Sequence, residues 1–333
     1  MVSKDPKIST LVSVIIPAYN AEQFLGQAIQ SVLEQTFLPH EIIVIDDGST
    51  DRTREVMKAF GSNIRGLYQQ NAGPSAARNA GIRVAQGNLI CFLDADDLWT
   101  SDKIKEQINF MEKNPDIGLL CSDHEEFDGG GVVLPSFVKK KEEFFGPTII
   151  GNNPIRNAFV KLLSLNFIST PTVMVRKECL EASGLFDESL WSVEDRDLWL
   201  RIAANFSIAC MEGIYCRRRV HHLNISKEKE LSVRGRIRVL EKNWELFPAL
   251  APSGFWRGHL ADCYCQFGYL LLENNQRWSA LKAGILSLKH ILLEGFNGKS
   301  WRITPWWKSV GLIPAALLGW KISRAFWQPI KEL

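Results

Sequence analysis

Three carboxylates in four positions, Asp94, Asp96 and Asp97, follow the apolar run Leu89–Leu93 without a break. A run that short, containing Ile and Phe and preceded by Gly87 and Asn88, predicts a buried strand of a parallel sheet. Its carboxylates then emerge at the strand's carboxyl end, the edge at which open α/β sheets take ligands. Carboxylates gathered there repel one another unless a cation or hydrogen-bond donors neutralise them. Oxygen ligands with open positions suit Mg²⁺ or Mn²⁺ held partly by a substrate's phosphates. The competing reading is a solvated acidic turn that caps the next helix, since Asp at a helix start is ordinary.

The same arrangement recurs elsewhere in the chain. Glu41–Ile45 reads as a second buried strand that runs directly into Asp46 and Asp47, while Ser49 or Asp51 could simply cap the helix Arg52–Phe60. Leu11–Ile16 is a β-branched run that ends in Pro17, Ala18, Tyr19 and Asn20. Glu194 and Asp195 stand at the start of a helical spacing marked by Leu198, Trp199, Ile202 and Ala203, where acidic residues also complement the helix macrodipole. After a strand at Ile208–Tyr215 comes a basic stretch, Arg217–Ser226, with His221 and His222; Arg and His placed there can reach a diphosphate or a metal. No G-x-G-x-x-G follows the first strand and no G-K-[ST] loop exists, so phosphate must be held through a metal. A nucleotide diphosphate leaving group fits that site, with Asp195 or Glu194 placed to deprotonate an incoming hydroxyl on the opposite face. That chemistry is glycosyl transfer with inversion.

The intervening elements predict how these residues are positioned. Ala21–Gln35 is an amphipathic helix, Ile64–Tyr68 a short strand and Ala76–Gln86 a helix with Pro74 at its start. Ala76, Ala77, Ala80 and Gly81 give the latter a small-residue face, while Arg78 and Asn79 supply polar tips that are either solvated or set at an anion-binding helix start. The strand and helix alternation is that of a nucleotide-binding α/β half. A helix at Lys103–Lys113 and a strand at Ile117–Cys121 follow. From Ser122 to Gly151 periodicity disappears, and Gly129–Gly131 with Lys139–Lys141 read as a mobile insert. Pro154–Leu165 predicts a helix, Thr172–Arg176 an edge or late strand and Lys177–Ser183 a helix. Beyond Lys227 the spacing predicts helices at Leu231–Phe247, Trp256–Glu273 and Ser279–Leu293.

At 333 residues, a main domain with a smaller appendage is expected. A net charge of +2 gives no mandate for nucleic-acid binding. The seven cysteines include no C-x-x-C pair and read as reduced thiols. Met1–Thr10 is polar and lacks an apolar signal core, and no run approaches the roughly 20 apolar residues of a spanning helix, so a cytoplasmic protein is expected. Trp301–Trp327 holds five of the eleven tryptophans, together with Lys308, Lys321 and Arg324. That composition suits an interfacial segment at the membrane, slightly ahead of a Trp-rich core helix or a homodimer contact.

Five stretches in order carry a resemblance: S-V-I-I-P-A-Y-N at Ser13–Asn20, I-D-D-G-S-T-D at Ile45–Asp51, N-A-G-P-S-A-A-R-N-A-G at Asn71–Gly81, L-D-A-D-D at Leu93–Asp97 and E-D-R-D-L-W-L-R at Glu194–Arg201. The chain resembles family 2 glycosyltransferases of the GT-A fold over roughly its first two thirds. The resemblance implies a central, mainly parallel sheet flanked by helices, with a glycosyltransferase domain at 1–226 and a C-terminal helical region at 227–333. It implies that Pro17, Ala18 and Tyr19 line the nucleobase pocket with Asn20 beside them, and that Asp47 hydrogen-bonds the base. Gly73, Asn79 and Ala95 fall within its donor-site motifs. Asp94 would contact the nucleoside sugar, Asp96 would bind Mg²⁺ or Mn²⁺, and Asp195, paired with Glu194, would be the general base. Arg219–Ser226 resembles the family's R-x-H loop, placing Arg219 and His221 near the diphosphate or metal. Donors of such proteins are UDP- or GDP-sugars, and those with lipid-linked or polysaccharide acceptors work at the cytoplasmic membrane face. Two rivals stay open: a nucleotidyltransferase, and a non-catalytic nucleotide-sugar binding subunit.

Overall fold

The computed structural model describes residues 10–151, 153–221, 228–294 and 306–318. Strands β1 (Val12–Ala18), β2 (Glu41–Asp47), β3 (Arg65–Gln69) and β4 (Leu89–Phe92) alternate with helices α1 (Leu25–Leu33), α2 (Thr53–Ala59) and α3 (Pro74–Val84). β1 pairs in parallel with β2 and β4, and β2 with β3, as the apolar runs predict. Val14, Ile16, Val44 and Cys91 lie in one buried cluster with Leu25, Ala28, Ile29 and Val32 of α1. α3 comes close to Ile15 and Ile45. A Cβ on its Gly81 would meet Ile15 Cγ2 at 2.6 Å and Ile45 Cδ1 at 3.0 Å, so only glycine allows this approach.

The chain continues through β5 (Leu98–Trp99), α4 (Lys103–Lys113), β6 (Ile117–Asp128), β7 (Gly131–Leu134), α5 (Phe137–Phe145), α6 (Ala158–Ser164), β8 (Met174–Arg176), α7 (Lys177–Ser183), α8 (Glu194–Asn205) and β9 (Ser207–Arg219). The nine-stranded sheet has the order β3-β2-β1-β4-β8-β6-β9-β5, with β7 on β6. Its first half is parallel. Beyond β4, β8 is antiparallel to both neighbours, β6 and β9 are parallel, and β5 and β7 are antiparallel edge pieces.

Three expectations are corrected here. Ser122–Gly151 is no aperiodic insert: it continues β6 to Asp128, turns into β7 and forms α5. The polar residues that continue β6 are buried, with Ser122, Asp123 and His124 each at most 3% accessible, while Lys139 and Lys140 of α5 are exposed. Asp123 accepts from the Val138 N–H at 2.8 Å and from the Ser136 hydroxyl, tying β6 to the start of α5. Likewise Arg217–Arg219 belong to β9, where Arg217 faces Glu125 at 2.6 Å and Arg218 faces Glu126 at 2.8 Å across the ladder. The helix expected from Pro154 begins only at Ala158.

By contacts the chain divides into Met1–Ala158, Asn166–Ser189 and Arg201–His222 as one compact unit, and Phe159–Leu165, Leu190–Leu200 and Leu223–Leu333 as another. The second unit contains α9 (Lys229–Leu246), α10 (Ser253–Glu273), α11 (Arg277–Glu294) and α12 (Trp306–Leu318). Trp256 is fully buried within it, and the Tyr269 hydroxyl donates to the Lys308 carbonyl at 2.9 Å, joining α10 to α12. Of the Trp301–Trp327 stretch, only Trp306–Leu318 falls among the described residues, as helix. All seven cysteines are free and buried. No helix among the described residues is long and apolar enough to cross a membrane.

Candidate active site

The acidic end of β4 is held by residues of α3 and of the end of β9. The Arg78 guanidinium of α3 donates to Asp94 Oδ1 at 2.8 Å. His221, just past β9, places Nε2 2.9 Å from Asp96 Oδ2. Asp97 is almost wholly buried and accepts the Arg219 backbone N–H at 2.8 Å. Burial first, and then the Asp96 and Asp94 charges, push the Asp97 carboxyl well above its usual range. Burial and then Asp94 raise Asp96 in the same direction, opposed by His221. Asp97 therefore fastens the acidic turn to β9; helix capping falls to no member of this cluster, since α4 starts behind Asp102.

Arg219 spans the corner. Its Nε donates to the Asp96 carbonyl at 3.1 Å and its Nη2 to Gln27 Oε1 at 2.8 Å, while the guanidinium lies 5.0 Å from the Phe24 ring centroid and 4.6 Å from that of Phe127. The His221 ring stacks on Phe24 at 5.0 Å. Phe24 and Gln27 were not singled out by sequence: Phe24 fits the apolar helical spacing, and nothing in that spacing marks its ring as the support for a histidine and an arginine.

The ends of β1 and β2 are bound to each other. Asn20, in the left-handed region at φ +48°, accepts the Thr50 N–H at 2.9 Å, and its own N–H donates to Ser49 Oγ at 3.0 Å. Ala18 is buried and Tyr19 is 52% exposed. Asp46 takes the Ser49 N–H at 2.9 Å and the Arg54 guanidinium at 2.5 Å. Asp47, also buried, accepts from Gln69 Nε2 at 2.7 Å, the Ala72 N–H at 2.9 Å and the Gly73 N–H at 2.8 Å. It fixes the loop that delivers Gly73, at φ +89°, to the start of α3. A cavity of about 520 Å³ opens beside this edge, lined by Gly48, Arg54, Tyr68 and Gln69–Asn71. Asn79 is buried and spends its amide on the Phe186 backbone and on Glu188, at 2.9–3.0 Å.

Glu194 and Asp195 open α8 and belong to the second compact unit. Asp195 Oδ1 accepts the Arg196 N–H at 2.6 Å, the contact expected of an acid in a helix first turn. The next two residues are structural. Buried Arg196 donates to the Leu162 and Leu163 carbonyls at 2.8 and 2.6 Å, with burial and then Arg236 lowering its pKa to about 10. Asp197, fully buried, receives Lys242 at 2.9 Å and Asn243 at 3.0 Å. Among the described residues no group of three or more His, Cys, Asp or Glu is arranged as a metal site.

A sheet that is parallel over its first half, with carboxylates at the ends of β2 and β4, and a C-terminal helical region give the chain the architecture of the GT-A glycosyltransferase structures that it matches. Residues 13–183 match Glycosyl transferase family 2, and the chain belongs to that family. It is 31% identical to the UDP-Glc:alpha-D-GlcNAc-diphosphoundecaprenol beta-1,3-glucosyltransferase WfgD of Escherichia coli, over 79% of this chain and 93% of that one. Five uncharacterized glycosyltransferases of Rickettsia species are 34–39% identical, and the chain spans only 26–66% of their lengths. S. aureus TarS 1-349 in complex with UDP-GlcNAc is similar in fold, at TM-score 0.63 and 19% identity over 93% of this chain and 92% of that one. So is the mannosyltransferase PcManGT of Pyrobaculum calidifontis with GDP-Man and Mn²⁺, at TM-score 0.56 and 17% identity, covering 99% and 90%.

Proposed function

We propose that the chain is a metal-dependent, inverting glycosyltransferase. It moves a sugar from a UDP- or GDP-type donor to a hydroxyl of a saccharide or lipid-linked acceptor, in polysaccharide, glycolipid or other glycoconjugate synthesis. The observation that carries this reading is the 2.9 Å approach of His221 Nε2 to Asp96 Oδ2, which joins two residues 125 positions apart at the ligand edge of the sheet. The Asp96 carboxylate and the His221 imidazole nitrogen are two ligands that would leave the remaining positions of a Mn²⁺ or Mg²⁺ ion to the donor's phosphate oxygens. Bound there, such an ion would neutralise charge on the departing nucleoside diphosphate.

The chain's own groups do the rest. Pro17, Ala18, Tyr19 and Asn20 receive the base, and Asp47 shapes that pocket through Gly73 while presenting its carboxylate to the base. Asp94 and Ala95 meet the nucleoside sugar, Asn79 steadies the α3 side of the site, and Arg219 sets the acidic turn at the height of the diphosphate. Asp195, with Glu194 beside it, takes the proton from the acceptor hydroxyl. The hydroxyl oxygen then bonds to the anomeric carbon from the face opposite the leaving diphosphate, and configuration inverts. Residues 1–226 form the transferase domain and 227–333 a helical region that favours work at the cytoplasmic face of a membrane. Support comes from the nucleotide-sugars in the TarS and PcManGT complexes and from the acceptor named for WfgD.

A donor panel with Mn²⁺, following nucleoside diphosphate release and the anomeric configuration of the product, tests the reading. One donor supports turnover, and Asp96→Ala and Asp195→Asn each lose at least about 10²-fold in kcat while staying folded, in line with loss of a catalytic acid–base or charge-stabilising group. Normal turnover in either variant removes the role assigned to that residue, and release of pyrophosphate identifies a nucleotidyltransferase.

A further inference from the structure

α11 turns large apolar side chains to solvent as well as to its neighbours. Its inner side carries Ala280, Ala283 and Ser287, and Ser287 Oγ donates to the Ala261 carbonyl of α10 at 2.7 Å and lies 2.8 Å from Ser309 Oγ of α12. Its outer side carries Trp278, Ile285 and Leu292, which are 76%, 52% and 65% exposed. These three are seven residues apart, so successive members drift by only about 20° and form one line along the helix. Exposed Lys282 and Lys289 run beside that line at the same spacing, with Leu293, 55% exposed, beyond them. A water-facing helix normally shows its polar side. The neighbouring α12 adds Val310 and Leu317, 42% and 58% exposed.

Charge selects the occupant of this face. α11 carries Arg277, Lys282 and Lys289 and no acid before Glu294, while α12 carries Lys308 and no acid. A second copy set against the same face would oppose lysine to lysine. An anionic bilayer satisfies both features: Trp, Ile and Leu enter the headgroup boundary while the lysines stay at the lipid phosphates. The helix is about 27 Å long, long enough to lie along the interface, and it is not apolar enough to cross. We propose that the outer face of α11 docks the protein flat on an anionic phospholipid surface. The proposal deepens the reading of a lipid-linked acceptor and rests on it only for its purpose.

The test is flotation of the full chain with phosphatidylcholine vesicles, with and without phosphatidylglycerol. The wild type floats with the anionic vesicles, less so as salt rises. Ile285→Asp/Leu292→Asp and, separately, Lys282→Gln/Lys289→Gln weaken that binding by about tenfold or more. Both variants keep the wild-type melting temperature and the wild-type rate on a water-soluble acceptor. Undiminished flotation of either variant overturns the proposal, as does failure of the wild type to float. So does light scattering that shows a dimer dissociated by Ile285→Asp, which would give this face to a second copy. Absence of transfer from every donor, with flotation intact, would instead count against the enzymatic reading alone.

Discussion

Val193 turns through the left-handed region, φ +56°, directly against Gly235 of α9. A Cβ on Gly235 would meet Val193 Cγ2 at 2.6 Å and the Ser192 carbonyl oxygen at 2.8 Å. The other described non-glycine residues with positive φ are asparagines, which tolerate it; a β-branched residue there costs about 1–3 kcal/mol. This strained turn immediately precedes Glu194 and Asp195. Gly235→Ala should push it outward, destabilising the fold by about 1–3 kcal/mol as overpacking does. If the turn sets Asp195, kcat drops about tenfold or more while donor KM holds, an effect of the size produced by a small misplacement. Steady-state kinetics beside thermal melts would separate the two, and an unchanged kcat would free Asp195 from dependence on the turn.

Arg78 is a positioning residue for the acidic corner. It is 5% exposed, and its guanidinium stands over the Phe186 ring while bonding Asp94. Arg78→Met keeps much of the volume and leaves Asp94 without its positive partner beside Asp96. Removing one member of such a pair costs about 3–5 kcal/mol when it is fully buried. Asp94 is 32% exposed on its side chain, so a smaller loss, on the order of 2 kcal/mol, is expected. Donor KM should rise more than kcat falls, and Arg78→Lys should recover part of the affinity. Equal KM in wild type and Arg78→Met would remove the role.

His259 makes the second unit acid-sensitive. Burial, then the Arg196 and Arg236 charges, lower its pKa from 6.5 to about 3. The folded state therefore keeps the ring neutral while the unfolded chain takes up a proton below its ordinary pKa. Stability tied to this group is complete above that value and drains away as pH falls from about 6.5 towards 3, amounting to about 2 kcal/mol by pH 5. Melting curves at pH 7 and pH 5 should show the wild type losing more than His259→Gln over that interval; parallel losses would place the acid sensitivity elsewhere.

The parallel half of the sheet was legible because β1, β2 and β4 are bare apolar runs with glycine and proline at their borders. β6 was lost after Cys121 for the opposite reason. Its continuation, Ser-Asp-His-Glu-Glu, is buried by partners remote in sequence: Ser136, Val138 and the arginines of β9. The same cross-strand pairing hid Arg217 and Arg218 as strand, since opposite charges facing one another across a ladder leave no periodic trace in either strand alone. In the site, the carboxylates announced themselves by type and spacing. Their supports did not: Phe24 looks like any core aromatic, Gln27 like any helix surface, and Val193 carries no sign of its backbone angle. Nor does the sequence show that Asp47 and Asn79, both expected at the donor site, also fasten loops of their own chain.

β9 takes five steps, Met211 to Cys216, where β6 takes two, Ser122 to His124, with Gly213 at φ +114° in the irregular stretch. Because side chains alternate along a strand, this surplus decides the parity of everything downstream. Loss of a single residue between Met211 and Cys216 would exchange the facings of Arg218 and Arg219. Every recognisable motif would remain intact in the text of the protein, yet the arginine that now clasps the acidic turn would point to the other side of the sheet. The irregular stretch thus acts as a counter, and it places an insertion-and-deletion constraint on residues that themselves touch nothing in the site.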